Sequence, residues 1–241
     1  MNLNDMRLKG GCGLDGVLKD YGDTSESKEI EVVFRDLEGE LIKRILNADV
    51  VLGCVAWLTN ENIIKNLAYK RGVSIIVQKE DFLRPDQNSS GDWKSKLSSL
   101  YSRLSNGMSR AAEGFEGTIL REMSTSEVGW EIEPVRCVGN HNSERNPAFP
   151  RMHNKFLIFC RDAESSYAGK PFQDHNFVPY EVWTGSFNLS KNACNSFENA
   201  VIIKDKKILK AFLHEYAQIA ALSEPLDWTS DWCAPEWRIG S

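Results

Sequence analysis

The run DVVLGCVAWL, Asp49 to Leu58, carries no charge after its first residue and has the length of a single strand. A strand exposed on one face alternates apolar with polar residues, whereas an unbroken apolar run is typical of a strand covered on both faces. The flanking segments supply the cover. LEGELIKRILNA sets Leu37, Leu41, Ile42, Ile45 and Leu46 at helical spacing, and NENIIKNLAYKRG reads as a second amphipathic helix with Gly72 as its expected C-terminal stop. EIEVVF (Glu29 to Phe34) alternates as a strand, and VSIIVQ is another buried one. The order strand, helix, strand, helix, strand predicts an α/β architecture around a mainly parallel sheet.

The chain has 241 residues, 41% hydrophobic and 26% charged, which is enough to bury a core without covalent staples as one domain. A formal net charge of −5 excludes a protein that coats nucleic acid by overall charge, while leaving room for a local basic cleft in an acidic body. Cys12, Cys54, Cys137, Cys160, Cys194 and Cys233 stand singly, several of them inside apolar runs. A disulfide framework belongs to short, cysteine-dense secreted chains, so these read as small buried thiols in a reducing compartment. The opening MNLNDMRLKGGCG lacks the apolar segment of a secretory signal, and Val50 to Leu58 is too short to cross a bilayer. A soluble, cytoplasmic protein without stable membrane association is expected.

Residues 1–28, rich in Gly, Asp, Ser and Lys, predict a loosely held flexible arm. Residues 29–241 read as a single domain with a helical insert over about 86–130. In that insert Trp93, Leu97, Leu100 and Leu104 have helical spacing, with Lys94, Lys96, Arg103 and Arg110 around them. The plain reading of these cations is a solvated helix face; the sharper one is a positive lip over a cleft. Strands return with IEPVRCVG, HNKFLIFC, EVWTGSF and ENAVIIKD, a long amphipathic helix follows in KKILKAFLHEYAQIAAL, and the tail DWTSDWCAPEWRIGS is expected to pack on the body or on a partner.

Chemistry concentrates in two stretches. In HNKFLIFC the strand period of two aims His153 and Lys155 at one face, anchored by the apolar residues Phe156 to Phe159. A lone histidine is usually a satisfied structural residue, but a lysine should not point the same way into an apolar layer. A His–Lys pair at a strand end suits an anion. In TGSFNLSKNACNSFENAVII, Gly185 permits a close backbone approach, Ser186 and Asn188 share a face, and Glu198 opens the next strand, where a carboxylate could fix a histidine tautomer.

These residues resemble the catalytic signature of the phospholipase D superfamily: H-x-K, then G-S-x-N and a later glutamate, in particular as found in small bacterial endonucleases with one motif per chain. The likeness extends to VVFRDLEGELIKRILNADVVLGCVAWLTNENIIKNLAYKRGVSIIVQ and so covers most of residues 29–220. It implies a phospholipase D-like αβα sandwich with a central mixed, mainly parallel sheet. It also implies a catalytic set of His153, Lys155, Ser186, Asn188 and Glu198. Cys160 stands where the family has an aspartate, and Asp162 falls two residues later; the family aspartate has a structural role outside the shell that touches phosphate.

The resemblance further implies a metal-independent phosphodiesterase with no cofactor. A single motif per chain implies a homodimer with one shared site, in which one His153 attacks phosphorus to form a phosphohistidine and the other protonates the leaving oxygen. Glu198 would orient His153. The expected substrate is nucleic acid, DNA ahead of RNA, in a cleft with Lys94, Lys96, Arg103 and Arg110 as wall residues and tryptophans as stacking surfaces, although Trp57 and Trp183 suit the core. A phospholipid-hydrolysing enzyme and a catalytically weakened binding or regulatory module are the alternatives. Cys137 and His141 raise a zinc reading, but no C-x-x-C pair and no set of four ligands accompany them.

Overall fold

The computed structural model describes residues 2–5, 7–8, 16–17, 20–79, 92–105, 108–122, 131–139, 151–163, 176–226 and 228. Its centre is a nine-stranded mixed sheet. The strands are β1 (Asp23–Thr24), β2 (Ile30–Val33), β3 (Val50–Val55), β4 (Gly72–Gln78), β5 (Val135–Val138), β6 (Lys155–Asp162), β7 (Phe177–Gly185), β8 (Ala200–Ile203) and β9 (Glu224–Pro225). They lie in the order β9-β5-β4-β3-β6-β7-β8-β2-β1. The helices are α1 (Leu37–Asn47), α2 (Glu61–Leu67), α3 (Asp92–Tyr101), α4 (Ile119–Glu122) and α5 (Lys206–Ala221).

The expectation of a mainly parallel sheet is corrected. Only β3–β4 and β4–β5 pair in parallel, and the other six neighbouring pairs are antiparallel. The reason lies in the connections. A helical crossover (α2) joins β3 to β4, whereas β6, β7 and β8 follow one another without an intervening α-helix and so reverse direction at each step. Strand β2 is separated from β3 by three others and pairs with β8 instead.

Three of the helices start where a side chain can satisfy free amides. Asn60 accepts from the amides of Asn62 and Ile63 at the head of α2, Asp205 does the same for Lys207 and Ile208 at α5, and Asp36 takes the amide of Gly39 at α1. In α1, Leu37, Leu41 and Ile45 recur every four residues and are buried. The strand period then sorts the sheet into two apolar clusters. Leu157, Phe159 and Trp183 join α1, α2 and α3; Phe156, Ile158, Cys160 and Val182 join α4 and α5. The β3 run is buried along its whole length, as its unbroken apolar character predicts.

Gly72 does not stop α2, which ends at Leu67 with Ala68 as its cap. It begins β4, where any Cβ would collide with the side chain of Met108. Trp183 is a core residue and Trp57 is half-buried, while Trp228 packs on the α1–α3 cluster with its ring centroid 5.9 Å from that of Tyr101. The remainder of the aromatic tail, the loop over 164–175, Cys12, Cys233 and His141 lie outside the described residues. Cys54, Cys137 and Cys160 are buried and Cys194 is half-buried, and no disulfide joins them to one another. Among the described residues no helix is long and apolar enough to cross a membrane.

Candidate functional site

Four strand ends meet at one edge of the sheet. Lys155, the first residue of β6, lies opposite Val55 at the end of β3, and Phe156 lies opposite Thr184 near the end of β7. Gly185 closes β7 opposite Ala200, which opens β8. This edge is also the carboxyl end of β3 and β4, where open α/β sheets characteristically bind ligands.

His153 precedes β6, but its turn is pinned on both sides. The amide of Ala56 donates to the carbonyl of Asn154 at 3.0 Å, and the amide of Met152 donates to Gln78 Oε1 at 2.6 Å. Lys155 Nζ lies 3.2 Å from His153 Nδ1 and 3.4 Å from Nε2, and donates to the His153 carbonyl at 3.1 Å. An ammonium facing ring nitrogens favours a neutral imidazole with a lone pair to offer. Burial, then the charges of Lys155 and Arg151, hold the His153 pKa below the ordinary histidine value. Burial also lowers that of Lys155, while the charge of Glu198 opposes the shift. The shared face expected for His153 and Lys155 is therefore present. The imidazole remains exposed, and a cavity of about 500 Å³ opens beside it, between the Arg151–Asn154 turn and Glu215 and Ile219 of α5.

The second stretch folds back onto the same edge. Ser186 Oγ donates to Glu198 Oε2 and accepts from the amide of Asn199 at 3.0 Å, and the Ser186 amide donates to the Asn199 carbonyl at 3.2 Å. Gly185 allows this closeness: a Cβ there would strike the Asn199 carbonyl and come within 2.9 Å of Ala200 Cα. Phe187 and Leu189, both 1% exposed, root the segment in the α1–α3 cluster, and the alternating Ser186 and Asn188 stay half-buried. The Leu189 carbonyl accepts from the amides of Thr59 and Asn60 at 2.8 and 2.9 Å, which ties the segment to the end of β3. Asn188 Oδ1 is buried and has no hydrogen-bond partner among the described residues. Its amide can therefore engage a ligand without breaking a bond made through that oxygen.

Glu198 is placed differently from its expected role. Among the described residues no hydrogen bond joins it to His153; the carboxylate holds the Ser186 hydroxyl and attracts Lys155. Cys160 is wholly buried on the α4–α5 face, five residues along β6 from Lys155. At about 3.3 Å per residue, an aspartate in its place could not reach an anion bound by Lys155. Asp162 ends β6 instead of lying in the following turn, where it pairs with Arg71 and its amide donates to Asp49 Oδ2 at 3.0 Å.

The four expected wall cations separate. Arg110 is corrected outright: it is 2% exposed, its neighbours Met108 and Ala112 belong to the α4–α5 cluster, and its charge acts on buried Tyr216. A cation buried there cannot line an open cleft. Lys96 pairs with Glu61 and, with Arg103 and Lys65, lines a shallow concavity between α2 and α3. Lys94 is half-buried near the start of α3. Because Lys96 sits beside the first residue of α2, and Ser105 Oγ donates to the Arg71 carbonyl beyond its end, the two helices run parallel. The start of α3 therefore lies toward the site edge. Sequence reasoning misses Gln78 and Arg151. The one available signal for Gln78 is a polar residue closing an otherwise apolar buried strand.

Among the described residues no three His, Cys, Asp or Glu side chains gather in a way that could hold a metal ion, and the Cys137 thiol donates to Glu224 Oε1 at 3.5 Å. No family model matches the chain. Remote likenesses in shape are found to NucT from Helicobacter pylori (TM-score 0.43, 14% identity, covering 83% of this chain and 94% of that one). Another is to Nuc from Salmonella typhimurium, a phospholipase D family member (TM-score 0.42, 16% identity, 82% and 99%). A third is to TrmBL2, an archaeal chromatin protein (TM-score 0.37, 14% identity, 81% and 53%). In sequence the chain is 32% identical over 216 residues to the uncharacterized protein L381 of Acanthamoeba polyphaga mimivirus, covering 87% of this chain and 71% of that protein. At that identity and coverage, the chain belongs to the same family as the mimivirus protein L381.

Proposed function

We propose that this protein is a phosphodiesterase of the phospholipase D superfamily, a metal-independent nuclease acting on DNA ahead of RNA. The observation that carries the reading is the convergence at one sheet edge of His153, facing Lys155 Nζ at 3.2 Å, with the Ser186–Glu198 pair. The H-x-K and G-S-x-N spacing supports it independently. The catalytic domain is taken as residues 29–241.

Phosphodiester cleavage needs a nucleophile, compensation of the anion's charge and a proton for the leaving oxygen. The lowered pKa of His153 suits it to attack as a neutral imidazole. One imidazole nitrogen bonds to phosphorus as the bond to the leaving oxygen breaks. Lys155 and Asn188 face the non-bridging oxygens, and Glu198 keeps Ser186 oriented beside them. One imidazole cannot also give the leaving oxygen its proton in the same step, and the chain has one such motif. The proton therefore comes from the protonated His153 of a second copy across a two-fold axis. That imidazole, now neutral, takes a proton from water. The water oxygen attacks phosphorus, and the phosphorus–nitrogen bond breaks. The exposure of His153 supports a site completed by another molecule.

The test is incubation of wild type and His153→Ala with labelled single- and double-stranded DNA, RNA and phospholipid, all in EDTA. Wild type is expected to cleave nucleic acid and the variant to lose cleavage by at least a thousandfold. Cleavage that survives the substitution would remove the mechanism, and cleavage abolished by chelator would replace it with a metal site.

A further inference from the structure

Register places another pair of side chains at this edge. Ala200 pairs with Val33 at the end of the β2–β8 ladder, so Arg35 and Phe197, just beyond it on the two chains, come to the same end of the sheet. The Arg35 guanidinium carbon lies 5.5 Å from the centroid of the Phe197 ring, and Nη1 donates to the Phe34 carbonyl at 2.9 Å. Arg35 Nε is buried with no hydrogen-bond partner among the described residues. Phe197 is 52% exposed, the one exposed phenylalanine among the described residues. It is next in the chain to Glu198, whose carboxylate holds Ser186.

An exposed phenylalanine next in the chain to the Ser186–Glu198 pair needs a reason, because folding gains little from a ring left in water. Its surroundings indicate what it meets. Lys191 and Asn192 are exposed, Asn195 and Ser196 half-buried, and Asn199 exposed, so the ring stands alone in a polar segment. An acyl chain needs a continuous apolar track, and none runs from this ring through the segment. A planar base needs one aromatic face, and a guanidinium against that ring adds stacking and a charge for the adjoining phosphate. We infer that Phe197, backed by Arg35, is a stacking platform for a base of single-stranded nucleic acid next to the scissile phosphate. This rests on the reading of the site as a phosphodiesterase and narrows its substrate.

The experiment measures binding by fluorescence anisotropy in a His153→Ala background, which removes cleavage. The probes are labelled oligothymidylate, the same strand without bases, and anionic phospholipid vesicles. Phe197→Ala is expected to weaken oligothymidylate binding about tenfold and to leave the abasic strand unchanged, and Phe197→Trp is expected to restore the lost affinity. Unchanged oligothymidylate binding overturns the inference. So does an equal loss on the abasic strand, which would place Phe197 in support of the backbone segment instead of against a base. Vesicle binding that depends on Phe197 overturns it in favour of a lipid surface. Hydrolysis of bis(p-nitrophenyl) phosphate by wild type separates the two readings. Hydrolysis without base-dependent binding sinks the platform alone, and base-dependent binding without hydrolysis sinks the catalytic reading alone.

Discussion

At the scale of single residues, the structure places one imidazole among cations. Burial, Lys155 and Arg151 together lower the His153 pKa from the ordinary value of 6.5. The sign follows directly. The unfolded chain takes up this proton at higher pH than the folded one. As pH falls through the ordinary histidine range, His153 therefore subtracts from stability, and the loss is complete below its folded pKa. Above that range the ring is neutral, the form that the proposed attack requires. In Lys155→Met one of the two cations is gone, so the His153 titration followed by NMR should move upward, while phosphodiester hydrolysis falls about 100-fold. A titration that stays in place would show that the 3.2 Å approach of Nζ carries no electrostatic coupling. The spacing of His153 and Lys155 was legible because strand period alone puts them together. The burial of Arg110 was not, because a basic residue in a polar insert looks the same in sequence whether it faces water or the core.

At the scale of elements, strand ends deliver the chemistry and strand interiors hold them still. The β7–β8 approach at Gly185 is the tightest constraint on the Ser186–Glu198 pair. Gly185→Ala should push the two strands apart, lower stability by about 1–3 kcal/mol in urea unfolding and reduce activity more than that loss of folded protein explains. An unchanged midpoint would mean that the close approach has slack. Strand β6 supplies a second test. Cys160 is wholly buried among apolar side chains, and burial pushes its thiol well above its usual range. Cys160→Asp introduces the residue that the phospholipase D motif has at this spacing, but buries a carboxylate. It should destabilise the fold by about 3 kcal/mol without raising activity, as denaturant melts and rate assays would report. A gain in rate would mean that this strand position communicates with the phosphate after all. The element order and the burial of β3 were legible from periodicity. The pairing of β2 with β8 was not, because neighbours in a sheet are chosen by connections that span the whole chain.

At the scale of the whole molecule, the question is how many chains make one site. If two His153 residues share a phosphate, inactive chains are poisonous to active ones. Wild type mixed with a tenfold excess of His153→Ala should therefore lose most of its activity as mixed dimers form, and light scattering should report a dimer at micromolar concentration. Activity that scales with the wild-type chain alone would instead mean that each chain carries a complete site. What the sequence by itself determined is local. Apolar periodicity marked the strands and helices, and the two motifs named a His–Lys pair and a Ser–Asn–Glu group with a chemistry for anions. Only the tertiary structure decided that sheet direction reverses after β5, that Glu198 holds Ser186 instead of His153, that Arg110 belongs to the core, and that the Arg35 guanidinium lies against the Phe197 ring. The physical reason is range. Period and capping act over a few residues and leave their mark in the order of the letters. Register, burial of a single polar group and the meeting of strand ends depend on contacts between segments that lie further apart in the chain.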